Sequence, residues 1–103
     1  MKKIAFIGGY DKSDIIIYVA KLLSMLNKKI LIIDTTLIQK TKYIIPTMTP
    51  TLKYVTTYDG MDVAIGFDDM QDIGRYLGIS DFEAYDYIIY DIDNPDFYNS
   101  YGI

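Results

Sequence analysis

The sequence predicts an α/β domain of three layers, with a mainly parallel sheet, helices on both faces and an antiparallel hairpin at one edge. Three observations predict it. Ile4-Ala5-Phe6-Ile7, Lys29 to Asp34 and Tyr85 to Asp91 are short apolar runs without polar alternation, as expected of parallel strands covered on both faces. A helical run from Ser13 to Asn27 joins the first two of them, which makes a strand, helix, strand crossover of the usual right-handed kind. Asp59-Gly60 stands between two strand-like runs, the two-residue spacing of a tight hairpin.

Each element follows from local pattern. The first strand runs from Lys3 to Ile7. In the helix after it, Asp14, Lys21, Ser24 and Lys28 share one stripe, opposite Ile16, Val19, Ala20, Leu23 and Leu26. The apolar arc is broad, as suits a helix lying on a sheet. Asn27 and the pair Lys28-Lys29 close it, and the second strand follows directly. From Thr35 to Leu52 the chain is rich in Thr and carries Pro46 and Pro50, so it reads as loop with a short extended piece at Lys42 to Ile45. Lys53 to Tyr58 and Met61 to Phe67 are the hairpin strands. Asp68 and Gln71 have the spacing of a capping box, opening a second helix that runs through Ile73, Tyr76 and Leu77 to a stop at Gly78. The last strand ends at Asp91. The tail from Asp93 to Ile103 is polar and aromatic and receives no assignment.

Bulk properties narrow the function. At 103 residues, half of them hydrophobic, the chain is expected to form one domain over 1–103, either whole or part of a longer one, with a packed core. A net charge of −4 and a pI near 4.5 argue against nucleic-acid binding, which needs a basic face. There is no Cys and no His. Cysteine- and histidine-ligated zinc, thiol redox chemistry and Ser-His triads are therefore excluded. Only four apolar residues follow Met1-Lys2-Lys3 before Gly8, too few for a signal-peptide core, and no apolar run is long enough to span a membrane. A soluble cytoplasmic protein without membrane insertion is expected.

Chemistry-bearing residues gather at strand ends. Gly8-Gly9-Tyr10-Asp11-Lys12-Ser13 lies between a strand and a helix, where a phosphate-binding loop belongs. Asp34, Asp91 and Asp93 close or follow apolar strands, at the edge where open parallel sheets bind ligands. The loop pattern G-x-x-x-x-G-K-[ST] puts glycines at the positions of Phe6 and Asp11. An acid within about 4 Å of a phosphate costs on the order of 4 kcal/mol at an effective dielectric near 20, roughly a thousandfold in affinity. The same residues also read as plain structure: Asp11 as N-cap, with Lys12, Ser13 and Asp14 as the first helical positions, and Lys12 paired with Asp34 or Asp91.

On these motifs the chain resembles the N-terminal half of a MinD/ParA-type ATPase, the deviant-Walker-A (SIMIBI) branch of the P-loop NTPases. Ile7 to Ser13 matches the family's K-G-G-x-G-K-[ST], Ile33-Asp34-Thr35-Thr36 its switch I, and Tyr85-Asp86-Tyr87-Ile88-Ile89-Tyr90-Asp91 its Walker B run. The resemblance covers essentially the whole chain but about half of the family's domain. It implies a Rossmann-like P-loop sheet, a nucleotide site at Gly8, Gly9, Lys12, Ser13 and Asp34, and magnesium held through Ser13 and Asp91.

The departures point away from catalysis. Ile7 stands where the family has its signature lysine, Asp11 where it has a loop glycine, and Thr36 where it has the switch I Asp that orients water. The expectation is a non-hydrolysing interaction or regulatory module with no cofactor, and with catalytic residues absent. The alternative is a switch that still holds ATP and Mg²⁺. Because the chain ends before the family's later strands, the first strand should become a sheet edge. Self-association or a protein partner is then expected, with Phe97 to Tyr101 near the contact.

Overall fold

A computed structural model of the chain describes residues 2–8, 12–35, 54–58, 60–67 and 69–93. The elements are β1 (Lys2–Ile7), α1 (Ser13–Met25), β2 (Ile30–Asp34), β3 (Tyr54–Tyr58), β4 (Met61–Ile65), α2 (Met70–Leu77) and β5 (Tyr87–Ile92). The expected extended piece at 42–45 and the aromatic tail lie outside the described residues.

The strands form one mixed sheet in the order β1-β5-β2-β4-β3. β1 with β5, β5 with β2 and β2 with β4 are parallel, and β3 runs antiparallel to β4. The hairpin therefore lies at one edge, as expected, and among the described residues β1 forms the other. β5 separates β1 from β2, so the crossover through α1 spans a strand inserted from the far end of the sequence. Tyr58 pairs with Met61, and between them Gly60 adopts φ 79°, the left-handed conformation a two-residue turn requires.

Alternation along the strands feeds two apolar clusters. Ile16 and Ala20 of α1 join Ile30, Ile32, Met61 and Ile89 in one. Ile73 of α2 joins Leu31, Ile33, Ala64, Phe67, Ile88, Tyr90 and Ile92 in the other. Ile30 to Ile33 are all at least 95 % buried, between 0 and 5 % exposed, which explains why β2 has no polar alternation. Each such side chain contributes about 1.5–3 kcal/mol on burial. Phe67 meets Tyr76 edge to face, with ring centroids 5.4 Å apart, a favoured aromatic geometry.

Helix boundaries differ from expectation by one or two residues. The N-cap residue of α1 is Lys12, whose carbonyl accepts the first helical bond from the Ile16 amide at 3.0 Å. The expected cap, Asp11, lies outside the described residues, and Ser13 is the first helical position. At the other end Asn27 turns left-handed at φ 61°, and the amides of Asn27 and Lys28 bond back to Ser24 and Leu23. For α2 the cap is Asp69 rather than Asp68: its carboxylate accepts from the Asp72 amide at 2.8 Å. Asp72 rather than Gln71 is thus the third helical position. Gly78 stops α2 at φ 70°, and the Ile79 amide bonds to Gly74 O at 3.0 Å, a Schellman ending.

Candidate functional site

The C-terminal ends of β1, β5 and β2 bring the expected site residues together. Gly8 follows β1, Asp91 and Ile92 end β5, Asp34 ends β2, and Lys12 stands at the start of α1. Asp34 and Asp91 are register partners in the parallel β2–β5 pair. Gly9 lies outside the described residues, as do Asp11 and Thr36. Ser13 opens α1, and its side chain is likewise not among those described.

Lys12 is the centre of this cluster and is 2 % exposed. Its side chain turns inward, toward the ends of β1 and β5. Nζ donates to the Gly8 carbonyl at 2.7 Å and to the Ile92 carbonyl at 3.3 Å, and lies 3.0 Å from Asp91 Oδ1. These three oxygens lie around the ammonium. Among the described residues Asp91 Oδ1 receives no aligned hydrogen bond, so charge rather than hydrogen-bond geometry carries the Lys12 contact. Of the two partners the sequence left open for Lys12, the structure seats it against Asp91.

Burial pushes the Asp91 carboxyl above the usual carboxylate range, and the nearby charges of Asp34 and Asp93 push the same way. The Lys12 ammonium, 3.0 Å away, opposes them. Desolvation wins because the carboxylate has left water while, among the described residues, Lys12 alone faces it with a positive charge. Asp93 Oδ1 is also buried without a hydrogen-bond partner among the described residues.

Thr35 contributes a contact that sequence reasoning missed. Its hydroxyl donates to the Asp91 carbonyl at 2.7 Å and its amide to the same oxygen at 3.2 Å. On the other side, the Gly8 amide donates to the Ile92 carbonyl at 3.0 Å. The backbone of β5 is thus clamped from both neighbours where Lys12 meets it. A threonine directly after a strand-ending acid was the available signal, but backbone acceptors such as Ile92 O leave none in a sequence.

Beside this cluster, a cavity of about 230 Å³ is lined by Ile16, Ile17, Ile32, Val63, Thr56, Asp34 and Asp91. It is mostly apolar, and smaller than the roughly 300–1,000 Å³ of ordinary small-molecule sites. Among the described residues no three acidic side chains come together in a metal-binding group, and no helix is long and apolar enough to cross a membrane. The fold and the cluster define an α/β protein with a buried lysine–carboxylate pair at the carboxyl edge of its sheet. No family model, curated protein or solved structure matches the chain.

Proposed function

We propose that the chain is a non-hydrolysing MinD/ParA-like domain acting as an interaction or regulatory module, within a three-layer Rossmann-like P-loop arrangement. The observation that supports it best is the inward seating of Lys12. A loop lysine that serves a phosphate must present its ammonium to the ligand, whereas here it is spent on Gly8 O, Ile92 O and Asp91. Withdrawing it would strip a buried carboxylate of its cation, a loss of about 3–5 kcal/mol. Ile7 and Thr36 supply neither the charge nor the carboxylate that hydrolysis uses. In this seating the residues do not fit ATP and magnesium. The domain is assigned to the cytoplasm and to protein partners or copies of itself.

A second reading, a nucleotide-binding switch, draws on one observation: Asp34 and Asp91 stand side by side at the ligand-binding edge of the sheet. In that reading Lys12, Ser13, Asp34, Gly8 and Gly9 would meet the nucleotide, while Ser13 and Asp91 would share the metal. Thermal unfolding with ATP, ADP and Mg²⁺ separates the two. Ligand at about 100 times its Kd adds about 2.7 kcal/mol. The expected result is an unchanged Tm at millimolar nucleotide, with no phosphate release. A saturable rise in Tm that Asp34→Asn abolishes would select the switch.

A further inference from the structure

The cavity beneath α1 follows from strand register. Thr56 pairs with Val63, Val63 with Ile32, and Ile32 with Ile89, so one row of side chains crosses four strands. Ile32, Val63 and Ile89 pack with Ile16 of α1, which places this row on the helix-covered face. Asp34 and Asp91 are register partners two residues further along β2 and β5, and side chains two apart in a strand share a face. Two carboxylates therefore stand beside an apolar floor. The helix covers Ile89 and Ile32 but leaves a cavity of about 230 Å³ toward β3, bounded by Ile16, Ile17, Ile32, Val63 and Thr56 and by the two acids. Asp91 is buried at one end and Thr56 is exposed at the other.

We propose that this cavity binds a small primary amine, with its ammonium against Asp34 and Asp91 and its hydrocarbon body on Ile16, Ile17, Ile32 and Val63. Three observations select this class. Asp91 is 5 % exposed, and among the described residues its Oδ1 receives no aligned hydrogen bond. A buried carboxylate with accepting capacity left over thus borders the cavity, and with Asp34 beside it a cation is favoured and an anion opposed. Apart from Thr56, the other described walls are aliphatic. They suit a hydrocarbon and supply too few oxygens for a divalent cation, which takes about six. Size sets the third limit. A cavity of about 150 Å³ holds benzene, so this one takes a molecule of about nine non-hydrogen atoms, far smaller than a nucleotide. The site goes beyond the assignment as an interaction module and does not depend on it.

Phenethylamine has the required size and charge and serves as the probe. Calorimetric titration of the full chain near neutral pH should show one saturable site with a Kd of about 100 μM, as expected for so small a ligand. Phenethyl alcohol keeps the shape and loses the charge, so it should bind about tenfold more weakly or worse. Phenylacetate, an anion of similar shape, should not bind. Asp34→Asn should weaken the amine about tenfold while leaving the alcohol unchanged, a split that a merely structural role would not produce. Ile17→Phe fills the cavity from the half-buried side of α1 and should abolish binding of both, with an unchanged helical circular dichroism spectrum. It keeps the test decisive even where Asp34→Asn disturbs the fold. Absence of saturable amine binding up to about 10 mM, roughly a hundredfold above the expected Kd, overturns the proposal. So does equal binding of amine and alcohol, binding of Mg²⁺ without the amine, or amine binding that survives both substitutions. The probe carries no phosphate, so its result is read independently of nucleotide binding.

Discussion

Lys12 Nζ lies 3.0 Å from Asp91 Oδ1, with 1 % and 7 % of the two side chains exposed. The pair joins the loop after β1 to the end of β5, at the edge where ligands bind in open sheets. A buried pair of this kind is weak evidence for net stability, because desolvation offsets most of the attraction. Its strong effect is on what happens when one member is removed.

Lys12→Met should therefore destabilise the fold by about 3–5 kcal/mol, by leaving the Asp91 carboxylate buried without its cation. Lys12→Met combined with Asp91→Leu should recover most of that loss, since both buried charges are then gone. Urea unfolding of the two singles and the double forms the cycle that isolates the pair. A loss below about 1 kcal/mol in Lys12→Met would mean that the lysine is not part of the folded frame.

The raised Asp91 carboxyl sets the sign of a pH dependence. In the folded state it holds its proton to higher pH than in the unfolded chain, so between the two values the native state binds more protons. Its contribution to stability is complete below the ordinary carboxylate value of 3.8 and is lost as pH rises through the higher folded value. Chemical unfolding from pH 4 to pH 8 should show the stability of the natural chain declining relative to Asp91→Asn. A difference that grows with pH would reverse the assignment and make the Lys12 attraction dominant.

The ends of α2 make separate, local predictions. Asp69→Ala removes the carboxylate that accepts from the Asp72 amide and should cost about 1 kcal/mol. Gly78→Ala meets no atom within 4 Å, so only the left-handed backbone at φ 70° opposes it, again at about 1 kcal/mol. The sites sit at opposite ends of one short helix, so the double variant tests additivity by thermal unfolding. A neutral Gly78→Ala would show that the turn relaxes to another conformation.

Much of this architecture was legible in the residues themselves. Unbroken aliphatic runs at Ile30 to Ile33 and Ile88 to Ile89 pointed to strands covered on both faces, and they lie in neighbouring strands within the sheet. Asp59-Gly60 determined the hairpin and Gly78 the end of α2, because both positions call for backbone conformations that few residues adopt. The absence of His and Cys limited the available chemistry before any fold was known.

Other features had to wait for three dimensions. The cap of α2 fell on Asp69 rather than its neighbour, since adjacent acids carry the same local signal and only backbone dihedrals separate them. The partner of Lys12 could be Asp34 or Asp91 by sequence, because both close strands at one sheet edge; strand order and register put Asp91 against the ammonium. Thr35 and the Ile92 carbonyl entered the cluster through pairings between residues far apart in the chain. The periodicity of α1 disclosed a wide apolar arc but not which part the sheet would cover. That division depends on where a helix rests across neighbouring strands, a long-range packing result that no local pattern encodes.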